Sequence, residues 1–148
     1  PRDIHVLSRR QILMCIRDMY MSGDLKDIVW QSARIISGYD ATRVRQDACG
    51  AWIAYNEFNN HESIFGWEID HIYPVFKLKQ LGVPEILWNN LLNLRAFHWK
   101  NNRSKGTSYP MYTSAVIGYG DTNMEQRNVF WVSDPLQDSL RSLFKIKE

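Results

Sequence analysis

Apolar positions along the chain change their period twice, which divides it into helical ends and a strand-rich middle. Ser8-Arg9-Arg10-Gln11 reads as a capping box, Ser8 at the N-cap and Gln11 reaching back to it. Ile12, Ile16, Met19 and Tyr20 then share one helical face, and Gly23 stops the helix. Asp24 opens a second helix with a stripe of Leu25, Ile28, Val29 and Ile36, closed by Ser37-Gly38. Residues 40–47 read as a short helix or a turn.

After Gly50 the pattern becomes aromatic and β-prone. Residues 51–58 and 66–72 predict two strands, joined as a hairpin through the turn cluster Asn59-Asn60-His61-Glu62-Ser63. Pro74 ends the second strand, because proline cannot donate to a ladder. A connection over 75–88, broken by Gly82 and Pro84, leads to a short strand over 93–97. Residues 98–105 predict a helix stopped by Gly106. Residues 107–123, with Pro110, Gly118 and Gly120, read as an irregular loop, and 129–132 as a strand. Asp134-Pro135 opens a last helix with Leu136, Leu140, Leu143 and Phe144 on one face. The order is α-α-β-β-(β)-α-α, an α+β domain expected to span all of 1–148, with no repeat, low-complexity tract or linker.

Composition narrows this reading modestly. Six Trp, seven Tyr and six Phe in 148 residues predict a well-filled core. No apolar run approaches the roughly 18 residues that span a membrane, so no membrane association is expected. Pro1-Arg2-Asp3-Ile4-His5 carries no export-type apolar core, so an intracellular (cytoplasmic) location is expected. Cys15 and Cys49 belong to no C-x-x-C pair, so no zinc ribbon is written here and the thiols are expected free. The net charge of +2 says little by itself. Its distribution says more: residues 86–120 hold no Asp or Glu, while Arg95, Lys100, Arg103 and Lys105 lie within them. Such a stretch is what a phosphate-contacting edge looks like, and equally a solvated basic face.

The chemistry concentrates in Trp67-Glu68-Ile69-Asp70-His71-Ile72-Tyr73-Pro74, followed by Asn93-Leu94 and then Lys100-Asn101-Asn102-Arg103-Ser104-Lys105-Gly106. Adjacent strand residues point to opposite faces, so Asp70 and His71 reach one site only if the strand end bends. A neutral His can take a proton from water. Asp carboxylate and Asn carbonyl are oxygen ligands suited to Mg²⁺. Basic side chains nearby can hold flanking phosphates. Alone, an Asp-His pair is also what a carboxylate orienting a buried imidazole looks like.

Taken together, E-I-D-H-I-x-P, N-L and N-x-x-K, in that order, resemble the HNH endonuclease motif. Arg45-Gln46-Asp47-Ala48-Cys49-Gly50 resembles the lead-in of small bacterial and phage members. The resemblance implies a ββα-metal core at about 45–106, with helical additions at 8–37 and 134–146. It implies His71 as general base and Asn93 as the residue that bonds backbone near His71 and fixes it. It implies Asp70 and Asn102 as ligands of one divalent metal, with Asn at that letter favouring Mg²⁺ or Mn²⁺ over Zn²⁺. Glu68 and His98 are expected as accessory groups, and Arg95, Lys100, Arg103 and Lys105 as nucleic-acid contacts. The chain departs from many relatives in lacking the paired C-x-x-C zinc site. Its hairpin is therefore expected to be held by packing, through Trp52, Trp67, Phe97 and Trp99. A competing register makes Asn89 the middle letter and His98 the ligand. Arg43 and Arg45 are expected either at a DNA groove or paired with Asp40 and Asp47, and Asn101 at the surface.

The expectation is thus a metal-dependent endonuclease that hydrolyses phosphodiester bonds, acting on DNA, expected double-stranded. The alternative is a catalytically silent HNH scaffold that binds DNA and works through a partner. A homodimer and an inhibitor or immunity protein are further partners that the resemblance brings into view. Recognition site, strand count and the choice of DNA over RNA stay open.

Overall fold

The computed structural model describes residues 24–147, so the helix expected over 8–20 lies outside the described residues. Helix α1 spans Asp24–Trp30 and buries Leu25, Val29 and Trp30, successive positions of one face. The expected continuation to Ile36 does not form. Ser32 Oγ bonds back to Val29 O and also accepts Ala96 N, and the Arg34 backbone pairs with Gln46 instead. Arg45 secures this end: its guanidinium donates to the carbonyls of Gln31, Ala33 and Ala41 and to Gln31 Oε1. Arg45 is thus a buried cation closing a helix C-terminus, neither a groove residue nor a partner of Asp47.

Strands β1 (Val44–Gln46) and β2 (Trp52–Ala54) form an antiparallel pair around a turn at Asp47–Gly50. The expected hairpin between 51–58 and 66–72 is replaced by this pair, which starts inside the segment read as a turn. After β2 the chain enters a 3-10 turn at Tyr55–Glu57, and only an isolated parallel bridge links Phe58 to Trp67. Strand β3 (Trp67–His71) instead pairs antiparallel with β4 (Leu94–His98), in the register Trp67↔His98, Ile69↔Ala96 and His71↔Leu94. The connection between them carries helices α2 (Val75–Gln80) and α3 (Glu85–Trp88) and a 3-10 turn at Leu91–Asn93. Helix α4 (Trp99–Lys105) follows β4 at once and lies across the pair.

The two faces of β3–β4 meet two cores. Trp67, Leu94 and Ala96 pack with Leu25, Val29, Trp30, Ala33 and Ile53. Phe97, on the other face, packs with Leu78, Tyr112, Val132, Leu140 and Phe144. Alternation along both strands makes this division, and it sends Glu68, Asp70 and Arg95 to the α4 side.

The expected loop over 107–123 contains strands. Strand β5 (Met111–Thr113) pairs with β8 (Val129–Trp131), and β6 (Val116–Tyr119) with β7 (Thr122–Glu125). Gly120, at φ +60°, forms the two-residue turn of the β6–β7 hairpin with Asp121. The last helix, α5 (Asp134–Phe144), begins as expected: Ser133 caps it, proline sits in its first turn, and Leu140 and Phe144 are buried. The chain over 24–147 is a small mixed α+β domain of short antiparallel strand pairs and helices.

Candidate active site

His71 ends β3 half-buried, and its neighbours restrain it from three directions. Lys105 Nζ donates to the His71 carbonyl at 3.0 Å. Asn93 O accepts the amide of Ile72 at 2.8 Å, and Asn93 Oδ1 accepts the amide of Tyr73 at 2.7 Å. His71 Nε2 meets Asn89 Oδ1 at 2.6 Å. Asn93 is fully buried, and its Nδ2 donates to both Tyr73 O and Trp88 O. It therefore clasps the exit of β3 to the end of α3, bonding backbone two residues beyond His71. Asn89 is the side chain that reaches the imidazole.

Asp70 points the other way. Its Oδ2 accepts Arg95 Nε at 2.9 Å and its Oδ1 accepts Lys105 Nζ at 3.2 Å. The carboxylate is 4% exposed and the ammonium 1%. Arg95 also lies 4.2 Å above the Phe97 ring centroid. Burial pushes the Lys105 amine below its ordinary range, against the pull of Asp70. Arg95 and Lys105, expected as phosphate contacts, are interior counter-ions instead. They lie on the β-pair face that α4 covers, and Arg95 also lines a cavity with Arg34, Cys49 and Tyr112.

Two residues back along β3, Glu68 forms a more open rung. Glu68 Oε1 accepts Asn102 Nδ2 at 2.8 Å, and Oε2 lies 2.9 Å from His61 Nε2. Arg103 continues the chain of contacts: it donates to His61 Nδ1 at 3.1 Å, and its guanidinium carbon lies 4.7 Å over the Trp99 ring. His61 stacks on Trp99 as well. Lys100 and Arg103 remain solvent-facing, with Lys100 Nζ 3.6 Å from Glu125.

His98 serves the fold. Its Nδ1 accepts the Lys100 amide and caps α4, while Nε2 bonds Ile64 O. Both ring nitrogens are used and the residue is 1% exposed, so it presents no lone pair to a metal. The competing register is split by this geometry: Asn89 does meet His71, whereas His98 is structural.

Asn101, expected at the surface, is fully buried. Its Oδ1 accepts the amides of Ala115 and Val116, and its Nδ2 donates to Val116 O and Asp47 Oδ2. Asp47 gathers three further donors, the amides of Cys49, Ala51 and His98. Burial pushes the Asp47 carboxyl up, and these bonds oppose the shift. Of the aromatic residues expected to hold that hairpin, Trp67 and Phe97 are fully buried, on opposite faces of the β3–β4 pair. The Asp47–Asn101 link adds a polar clasp between the β1–β2 turn and α4. The signal was present, since residues 100–105 contain no apolar side chain and the inward face of α4 has to be polar.

For a divalent metal, the donor groups fit unequally. Asp70 offers no free oxygen, because each of its two is held by a buried cation. A dication beside Arg95 and Lys105 would meet two like charges in a low-dielectric interior. Glu68 and Asn102 fit better: they touch, they are partly exposed, and Asn102 Oδ1 has no partner among the described residues. Among the described residues no three His, Cys, Asp or Glu side chains group so as to hold a metal ion.

No protein-family model, curated protein or solved structure matches the chain. Among the described residues, no helix is long and apolar enough to cross a membrane.

Proposed function

We propose that this chain is an HNH-type endonuclease with a ββα-metal core, hydrolysing phosphodiester bonds in DNA with His71 as general base. The observation that carries the reading is the restraint of His71, whose carbonyl is held by Lys105, whose ring is held by Asn89, and whose next two residues are held by Asn93. A general base must be oriented before the reaction, and two hydrogen bonds to His71 itself, one to its carbonyl and one to its ring, orient this one. Asp70 and His71 on β3, Asn93 in the 3-10 turn that leads into β4, and Asn102 on α4 place the ordered motif letters along a strand–strand–helix unit, which supports the reading.

In this reading His71 takes a proton from water, and the hydroxide so formed attacks phosphorus in line; the bond from phosphorus to the 3′ oxygen breaks, and that oxygen leaves and takes a proton from solvent. Lys100 and Arg103, on the open side of α4, hold the flanking phosphates. Trp99, already under Arg103 and His61, supports that edge. Glu68 and Asn102 would hold a hard divalent cation, Mg²⁺ or Mn²⁺, which would supply Lewis-acid neutralisation of phosphate charge; they lie on the α4 face of β3 and the His71 side chain on the other. Asp70 then has a different task from the one that the resemblance implies. It anchors Lys105, which in turn anchors the His71 backbone.

One observation favours the second reading, a DNA-binding scaffold without catalysis: the saturation of Asp70 by two buried cations removes one implied metal ligand. Plasmid cleavage separates the two. The nuclease reading expects supercoiled DNA to be lost with Mg²⁺ or Mn²⁺ and spared by EDTA. DNA binding with no cleavage of duplex, single-stranded or branched DNA establishes the scaffold instead.

A further inference from the structure

We infer that Asn89 is a positioning residue that fixes the protonation pattern of His71: its side-chain carbonyl accepts the Nε2–H, leaving the basic lone pair on Nδ1. This deepens the proposal that His71 is a general base and rests on it. A neutral imidazole carries one N–H, and a carbonyl oxygen can only accept. At 2.6 Å from Asn89 Oδ1, Nε2 is therefore the protonated nitrogen. Nδ1 has no hydrogen-bond partner among the described residues and is the nitrogen left for water.

The placement of Asn89 is built rather than incidental. It terminates α3 as its C-cap residue. The residue before it is pinned twice, Trp88 Nε1 to Val83 O and Trp88 O to Asn93 Nδ2. The residue after it, Asn90, bonds its amide to Leu87 O and accepts Leu92 N with its side chain. Asn93 closes the arrangement: the same buried amide holds Trp88, next to Asn89, and Tyr73, two residues past His71. Base and positioning residue thus hang from a single clasp. When Nδ1 takes the water proton, one O–H bond breaks and one N–H bond forms. The imidazolium keeps its Nε2–H on Asn89, whose carbonyl dipole favours the charge just formed.

The test is ring-nitrogen NMR on the ¹⁵N-labelled protein, with Asn89→Ala and the isosteric Asn89→Asp, each checked for folding by thermal melting. The expected wild-type result is a slowly exchanging, downfield proton on His71 Nε2, absent in Asn89→Ala. In Asn89→Asp the carboxylate favours the imidazolium, so His71 titrates at higher pH by about tenfold in proton affinity. On DNA, Asn89→Ala lowers kcat by about 10–100-fold with little change in KM, the magnitude seen when a supporting hydrogen bond behind a functional group is lost. Asn89→Asp recovers part of that loss and moves the acid limb of the pH profile upward. A wild-type proton on Nδ1 instead, or a His71 titration unmoved in Asn89→Asp, overturns the inference. The NMR result does not depend on cleavage. If it is as expected and no substrate is cut, the positioning stands and the nuclease reading fails. If His71→Ala abolishes cleavage while Asn89→Ala cuts with the wild-type rate and pH profile, the nuclease reading stands and the positioning fails.

Discussion

Lys105 Nζ lies 3.2 Å from Asp70 Oδ1 and 3.0 Å from the carbonyl of His71, so one buried ammonium at the end of α4 secures two adjacent residues of β3. Removing the carboxylate leaves Lys105 and Arg95 buried without a counter-charge. Asp70→Asn is therefore expected to lose about 3–5 kcal/mol of stability, the cost of breaking a buried ion pair from one side. Urea unfolding measures it. Glu68→Gln, at a rung open to water, is expected to cost under about 1 kcal/mol. Equal losses for the two would show that Asp70 is not the interior anchor.

His98 makes stability depend on pH. Burial lowers its pKa below the usual 6.5, and the Lys100 amide needs Nδ1 unprotonated. In the unfolded chain His98 takes its proton first as pH falls. Its contribution is therefore fully present above pH 6.5 and is lost as the pH drops from there through the lower folded-state value. Melting temperatures taken from pH 7.5 down to 5 should fall. His98→Asn, which keeps a capping oxygen but does not titrate, should flatten that slope. An unchanged slope contradicts this role.

Asn101→Ala should harm the fold more than its neighbour's substitution. It takes the Asn101 partner from the buried amide and carbonyl of Val116 and from the part-buried amide of Ala115. With an unpaired buried group costing about 1–3 kcal/mol, a loss of about 3 kcal/mol or more is expected. Asn102→Ala, half-exposed, should leave the melting temperature nearly unchanged. Parallel thermal melts of the two variants decide it.

Cation binding can be assigned by Mn²⁺ titration followed by electron paramagnetic resonance. Glu68→Gln and Asn102→Ala are expected to weaken Mn²⁺ binding at least about tenfold, since each removes an oxygen donor from a site with few protein ligands. If neither changes it while Lys105→Met strengthens it, the cation belongs at Asp70, in competition with Lys105.

The legible parts of the fold were those with local causes. Asp134-Pro135 and the Leu140, Phe144 face define α5, alternation defines β3 and β4, and Gly106 ends α4. The partner of β3 was not legible. The turn cluster at 59–63 pointed to the preceding segment, while the true partner lies beyond two helices, and pairing over that distance leaves no local mark. The β6–β7 hairpin was readable in Gly120-Asp121, a two-residue turn signal within a segment taken as irregular. At the candidate site, the motif letters located His71 and the Asn93 clasp. They did not reveal that Arg95 and Lys105 turn inward, because a charge in a sequence looks the same whether it faces water or Asp70. Helix phase also separates Asn101 from Asn102, and a short helix without apolar residues does not display its phase.

The role proposed for His71 is chemical rather than structural. The direct measurement is the initial rate of duplex DNA cleavage by wild type and His71→Ala in Mg²⁺ and in Mn²⁺, with both proteins shown to melt alike. Metal-dependent cleavage by wild type is expected, with a loss of several orders of magnitude in the variant at unchanged stability. Equal rates for the two proteins, or no cleavage by wild type under any condition that allows binding, would contradict it.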